Sequence, residues 1–217
     1  MPIELVIFDC DGVLVDSEKL AIQVDQEVLA ELGWEISLEE IIHRFIGRSN
    51  SYFQLEVEKH LKIKLPENWS QLLTQRYRNK FADELKPVPG IFAALEKLEF
   101  TSCVASSGSV EKMRYTLGLT GLLPHFEDRL FSSDQVTRGK PEPDLFLFAA
   151  QSMKTDPVSC VVVEDSPAGI EGALKAGMQV VAFSNGLVPE DRLEFPKVPI
   201  LRDMQRLPEL IRSIGQQ

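Results

Sequence analysis

The chain has 217 residues, of which 44% are hydrophobic and 26% charged, and its formal net charge is -10. This composition is that of a globular protein, and it excludes a disordered, fibrous or low-complexity chain. Because acidic residues outnumber basic ones by 33 to 23, we expect no general affinity for nucleic acid or for an anionic membrane. An anionic substrate would need a metal ion or a few well-placed cations.

We expect neither a targeting segment nor a membrane span. The first residues lack a basic region, and Asp9 interrupts their apolar run, so no signal peptide is predicted. No stretch approaches the roughly 18 apolar residues that cross a bilayer. The three cysteines lie in or beside short apolar runs, as buried thiols do in a reducing cytosol: Cys10, Cys103 and Cys160. We therefore predict a cytoplasmic protein, monomeric or weakly dimeric.

Short runs rich in Val, Ile and Phe alternate with helical patterns along the chain. This alternation predicts an α/β fold with a Rossmann-like, doubly wound parallel sheet between layers of helices. The carboxyl ends of parallel strands share one edge of the sheet, where open α/β folds bind their ligands. The predicted strands are residues 3–8, 101–106, 128–133, 159–164 and 178–183.

The interval between the first two strands is too long for a single crossover. Apolar residues recur there at a spacing of four, and Gly33 follows the first stripe as a helix stop. We predict an α-helical cap domain at residues 17–85, inserted into a core domain of residues 1–16 and 86–217. The hinges would lie at residues 15–19 and 83–90. The stripes are Leu20, Val24, Val28 and Leu32; Phe53, Val57 and Leu61; and Trp69, Leu73, Tyr77 and Phe81.

The strongest chemical signal is the pair Asp9 and Asp11, which follows an apolar strand and precedes the turn residue Gly12. Strand alternation would point the two carboxylates to one side and Cys10 to the other. Like charges so placed repel each other, so they need a cation or a shared proton. On its own this pattern is equally compatible with solvated turn aspartates.

A second pair of carboxylates, Glu164 and Asp165, ends the apolar strand at residues 159–164. Ser166 is a good N-cap and Pro167 a good first helical residue, so we expect a helix to begin directly after Asp165. Asp9 and Asp165 would then offer oxygen ligands from neighbouring strand ends, which suits Mg²⁺. Zinc is disfavoured because the histidines are scattered.

Two further loops carry polar groups at the same predicted edge. Lys140 precedes Pro141 and is therefore expected in an extended conformation, with its ammonium projecting from a stiff loop. Ser106 and Ser107 end a strand before a helix of residues 110–118, where hydroxyl and backbone N–H groups suit a phosphate oxygen. Ordinary capping of that helix by Ser109 is also expected.

Together these elements resemble the haloacid dehalogenase superfamily, in the branch whose helical cap is inserted after the first strand. The resemblance extends over essentially the whole chain. It implies that Asp9 attacks phosphorus and that Asp11 is the acid/base, while Ser106 and Lys140 hold the phosphoryl oxygens. It also implies a Mg²⁺ cofactor held by the Asp9 carboxylate, the Asp11 backbone carbonyl and Asp165, with Glu164 binding the metal directly or through water.

Individual positions distinguish the branches of this family. The resemblance implies that dehalogenases and phosphonate-cleaving members lack the second aspartate, so Asp11 indicates phosphate chemistry. A sugar-phosphate mutase of the β-phosphoglucomutase type is the nearest rival. In that type a cap His and a cap Lys are expected where this chain has Ala21 and Ile46, which favours hydrolysis over the mutase.

The expected partner is a small phosphorylated metabolite. The cap loop at residues 45–50 and the hinge residues, Ser17 among them, would select it, and Arg48 is the favoured substrate contact because its planar fork suits a carboxylate or phosphate. The pattern is similar to phosphatases of 6-phosphogluconate and related sugar phosphates. A non-catalytic member that binds a phosphorylated ligand is a further alternative, although it would be expected to lack Asp9, Asp11 or Lys140.

Overall fold

The computed structural model describes residues 2–45 and 50–216, without the side chains of Asn50 and Ser51. It divides into two compact units, one formed by Met1–Asp16 and Lys86–Gln217 and the other by Ser17–Leu85. The roles of these units as catalytic core and substrate-selecting cap remain predictions. Among the described helices none is long and apolar enough to cross a membrane.

The first unit is built on a six-stranded sheet in the order β3-β2-β1-β4-β5-β6, and all neighbouring strands pair in parallel. The predicted α/β, Rossmann-like fold is confirmed. The chain first extends the sheet to one side of β1 and then returns to its other side, so the order reverses between β1 and β4. The strands are β1 (Leu5–Phe8), β2 (Thr101–Ser106), β3 (Leu130–Ser132), β4 (Cys160–Glu164), β5 (Gln179–Phe183) and β6 (Ile200–Leu201).

The register aligns the strand ends that carry chemistry. Phe8 is level with Val104 of β2 and with Val163 of β4, so the residues that follow these three meet at one edge. Every residue of β1 and β4 is buried, as expected for central strands covered on both faces. The helices of this unit are α5 (Ile91–Lys97), α6 (Val110–Leu119), α7 (Leu123–Phe126), α8 (Asp144–Ser152), α9 (Pro167–Lys175) and α10 (Leu207–Gly215).

Within residues 17–45 and 50–85, the second unit has four helices: α1 (Ser17–Glu31), α2 (Leu38–Phe45), α3 (Asn50–Leu61) and α4 (Trp69–Glu84). Gly33 follows α1 with φ 87°, in the left-handed region that a helix stop uses. Buried side chains on the predicted stripes include Val24, Val28 and Phe81.

Sequence analysis missed two features of the second unit. It did not predict α2, and it did not identify the buried Asp25, whose carboxylate accepts a hydrogen bond from the Tyr77 hydroxyl. Burial raises the pKa of Asp25 to about 6, although the hydrogen bond from Tyr77 opposes the shift.

Candidate active site

Lys140 joins the ends of β1 and β4. Its ammonium donates hydrogen bonds to Asp9 Oδ1 at 2.5 Å, to Glu164 Oε1 at 2.6 Å and to the Ala105 carbonyl at 3.1 Å. These three acceptors match the three protons of the ammonium group. The Lys140 side chain is only 5% exposed, so it is not the solvated charge that a lone lysine usually is.

Asp9 lies directly after β1, where its backbone N–H donates to the Val163 carbonyl at 3.0 Å. Burial raises the pKa of the Asp9 carboxyl to about 7, against the attraction of Lys140, and the negative charges of Glu164 and Asp11 add to the rise. Burial by itself lowers the pKa of Lys140, but Asp9 and Glu164 outweigh it and hold that pKa above its usual value. Lys140 therefore stays charged, and the negative charge of the carboxyl groups would favour binding of a further cation.

Glu164 is anchored through both carboxylate oxygens. Oε1 accepts from Lys140, and Oε2 accepts from the backbone N–H and the hydroxyl of Ser166, each at 2.8 Å. Ser166 caps α9 as expected, since its hydroxyl accepts from the Gly169 N–H at 3.1 Å. The Glu164 carboxylate packs so tightly beneath the start of α9 that a Cβ at Gly169 would lie 1.8 Å from Oε1. Because both carboxylate oxygens already accept hydrogen bonds, these contacts favour binding of Glu164 to a metal through water rather than directly.

Asp165 is held from two sides. The Asn185 amide donates to Asp165 Oδ2 at 2.7 Å and to the Gly12 carbonyl at 3.2 Å, which links the turn after β1 to the residues after β4 and β5. Gly12 has φ 78°, and a Cβ there would lie 2.0 Å from Asp165 Oδ2. The carboxylate can therefore approach the turn this closely only because residue 12 is glycine.

Asp11 forms an ion pair with Lys112 of α6, at 2.7 Å between Oδ2 and Nζ. Cys10 also reaches α6, where its Sγ lies 3.9 Å from Thr116 Oγ1. Because β1 ends at Phe8, the alternation proposed for residues 9–11 stays a prediction. Partial removal of the Lys112 ammonium from water lowers its pKa, but Asp11 more than compensates and raises it overall. Cys10 is buried, as predicted from the apolar run in which it lies.

The predicted phosphate-binding residues differ in their surroundings. Ser106 is 1% exposed, and its hydroxyl accepts from the Gly108 N–H at 3.0 Å. Ser107 is exposed. Ser109 caps α6 by accepting from the Lys112 N–H, as predicted. Ser17 is the buried first residue of α1 in the second unit, and Arg48 and Ile46 lie outside the described residues.

The site fits the divalent cation that was predicted for it. Within the described residues no three His, Cys, Asp or Glu side chains are grouped so as to hold a metal ion. The implied ligand set needs only two carboxylates, since its third member is a backbone carbonyl. The site residues named above include four carboxyl groups but only two ammonium groups, and hard oxygens with excess negative charge suit Mg²⁺. The carboxyl groups are those of Asp9, Asp11, Glu164 and Asp165, and the ammonium groups are those of Lys112 and Lys140.

Sequence reasoning missed Lys112 and Asn185. Lys112 lies in the first turn of α6, where a cation opposes the helix dipole, so its position carried a signal. Asn185 follows β5 between Ser184 and Gly186, in a segment that also fits an ordinary turn. Its partners come from positions 12 and 165, which only the folded chain brings together.

Comparison with known proteins identifies the family of this chain. Residues 6–183 match the family described as haloacid dehalogenase-like hydrolase. The chain belongs to this family. It is 32% identical to a 6-phosphogluconate phosphatase of Escherichia coli over 215 residues, which cover 98% of this chain and 96% of that one.

Two solved structures extend the likeness over the whole fold. A haloacid dehalogenase-like protein from Agrobacterium tumefaciens superposes with a TM-score of 0.86 at 35% identity, covering 98% of this chain and 99% of that one. A family hydrolase from Deinococcus radiodurans, with bound phosphate and sodium, superposes with a TM-score of 0.80 at 28% identity, covering 99% and 97%. The expected enzyme class, a phosphoric monoester hydrolase, is confirmed by relatives that are named phosphatases.

Proposed function

We propose that this protein is a Mg²⁺-dependent phosphatase that hydrolyses a small sugar phosphate through an aspartyl-phosphate intermediate. The observation that carries the proposal is the buried Lys140 ammonium, which joins Asp9 to Glu164 at the point where the strand order reverses. This arrangement fixes a carboxylate nucleophile beside a cation. Phosphoryl transfer requires little beyond such positioning and neutralisation of charge.

In the first proposed step, a carboxylate oxygen of Asp9 attacks phosphorus and the ester P–O bond breaks. Asp11 gives its proton to the departing oxygen, which leaves as an alcohol. In the second step Asp11 takes a proton from water, whose oxygen attacks the same phosphorus. The Asp9–phosphorus bond then breaks, and inorganic phosphate and the free Asp9 carboxylate are produced.

The other site residues bind and orient. Lys140 would place its positive charge beside a phosphoryl oxygen while still restraining Asp9, and Ser106 would offer its hydroxyl to a second oxygen. Glu164 keeps Lys140 in place through the 2.6 Å contact. When bound by Asp9, Asp165 and the Asp11 carbonyl, Mg²⁺ would supply positive charge to the phosphoryl oxygens.

The proposed substrate class is supported by the relatives. Besides the 6-phosphogluconate phosphatase, they include a fructose-1-phosphate phosphatase and a hexitol phosphatase of Escherichia coli. A polyhydroxylated alcohol is common to these three named substrates. We propose that Arg48 and Ser17 contact this part of the molecule.

Phosphate release from a panel of phosphorylated metabolites, measured with and without Mg²⁺, tests the proposal. We expect turnover of sugar phosphates that requires the metal and is lost in Asp9→Asn, which keeps the size of the side chain but removes the nucleophile. A radiolabelled covalent intermediate should be trapped in the wild type and be absent from the variant. Binding without release would indicate the non-catalytic alternative, and isomerised sugar phosphate without free phosphate would indicate the mutase.

A further inference from the structure

Lys112 is a second cation at the strand ends. Its ammonium lies 2.7 Å from Asp11 Oδ2, and the two side chains are 43% and 20% exposed. The contact links the first turn of α6 to the loop after β1, which are 101 residues apart in sequence. In the proposed function, Asp11 is the residue that exchanges protons with the leaving group and with water.

The local structure holds Lys112 in a position that helices normally disfavour. A cation in the first turn of a helix is disfavoured by the helix dipole. The backbone at this point is nevertheless fixed, since the Ser109 hydroxyl caps α6 through the Lys112 N–H at 3.1 Å. The ion pair with Asp11 offsets the unfavourable charge.

The space beside this ion pair is lined by the backbone of Gly108. A Cβ at Gly108 would lie 3.1 Å from the Lys112 stem, 3.5 Å from Ser106 Oγ and 3.8 Å from Asp11 Oδ2. The lysine, the acid/base carboxyl and the proposed phosphate-binding hydroxyl therefore border one small region. A change in the direction of the Asp11 carboxyl would alter its distance from the position that the ester oxygen must occupy.

We propose that Lys112 is a positioning residue for Asp11: it fixes the direction of the carboxyl that protonates the leaving alcohol. This inference rests on the proposed function, and it concerns one half of that reaction. Partly exposed ion pairs contribute little to stability, so the pair is not needed to hold the fold. Misplacing a catalytic group by about 1 Å can cost about 100-fold in rate.

The test compares two leaving groups in Lys112→Met, which keeps the length of the stem but removes the charge. One substrate is 6-phosphogluconate, or the alkyl phosphate that the wild type hydrolyses fastest, whose alcohol needs a proton to leave. The other is p-nitrophenyl phosphate, whose phenolate leaves without one. Arg114→Met is the matched control, because Arg114 lies on the same helix and pairs with the exposed Asp128.

For Lys112→Met we expect the single-turnover rate of alcohol release from the alkyl phosphate to fall about 10- to 100-fold, and the burst rate of p-nitrophenolate release to fall less than about 3-fold. Both rates report the first step alone, before Asp11 acts on water. Inhibition by inorganic phosphate should be unchanged, Lys112→Arg should recover part of the loss, and Arg114→Met should match the wild type on both substrates.

Equal losses in these two first-step rates, or weaker inhibition by phosphate, would show that Lys112 binds the phosphoryl group and would overturn the inference. No loss on either substrate would overturn it as well. A wild-type protein inactive towards every alkyl phosphate would instead refute the proposed function itself, and the inference with it.

Discussion

Substitution of Gly169 by alanine tests how Glu164 and Lys140 are held. Gly169 lies in the first turn of α9, where a Cβ would be 1.8 Å from Glu164 Oε1 and 2.0 Å from its carboxyl carbon. No atom approaches so closely, so the carboxylate must move. Glu164 would then lose hydrogen bonds from Lys140 and from Ser166.

The direction of the change in stability shows whether the Glu164 carboxylate is displaced. Replacing glycine by alanine inside a helix normally stabilises a protein by about 1 kcal/mol. Hydrogen bonds to charged groups contribute about 1.5–3 kcal/mol each, so losing two of them costs about 3–6 kcal/mol. After the helix gain, Gly169→Ala should be destabilised by about 2–5 kcal/mol. Gly118 in α6 is the matched control, because a Cβ there would meet nothing within 4 Å. Gly118→Ala should therefore be neutral or stabilising.

Urea denaturation of both variants measures these free energies of unfolding. Phosphatase activity of Gly169→Ala should fall by at least about 10-fold, since Lys140 loses one of its three acceptors and with it the alignment of Asp9. In a Glu164→Ala background, Gly169→Ala should lose most of its penalty because the clashing carboxylate is gone. If Gly169→Ala is as stable as Gly118→Ala, the argument for a tightly packed Glu164 is wrong.

Three other substitutions have defined outcomes. Gly12→Ala should abolish activity, because a Cβ would lie 2.0 Å from Asp165 Oδ2 and left-handed backbone disfavours alanine; near-normal turnover would contradict this. Asn185→Ala should raise the Mg²⁺ concentration for half-maximal activity by about 10-fold, because Asp165 loses its 2.7 Å hydrogen bond; an unchanged requirement would show that the amide does not orient the carboxylate. Burial raises the pKa of Asp25 from 3.8 to about 6. Between these pH values the folded state binds a proton that the unfolded state does not. The free energy of unfolding of the wild type should therefore fall as pH rises through this window, by up to about 3 kcal/mol. Asp25→Asn does not titrate and keeps an acceptor for Tyr77, so its stability relative to the wild type should increase from pH 4 to pH 8 in urea titrations, and a constant difference would refute the assignment.

Local patterns were sufficient for most of the fold. Continuous apolar runs predicted five of the six described strands to within two residues at either end, because central parallel strands are buried on both faces and need no alternation. The sixth, Ile200–Leu201, has only two residues, which is too short for any periodic signal. In the helical unit, α2 was missed, while the caps of α6 and α9 were anticipated because capping depends on side chains within one turn.

Strand-end carboxylates, a serine and a loop lysine were sufficient to recognise the family and to predict which residues form the site. Tertiary structure alone decided how they are partnered. That Lys140 joins Asp9 to Glu164, that Asn185 holds Asp165 and that Lys112 pairs with Asp11 depends on contacts between residues 20 to 131 positions apart. Hydrogen bonds and ion pairs act over a few ångströms in space, and only the folded chain brings these groups within that distance.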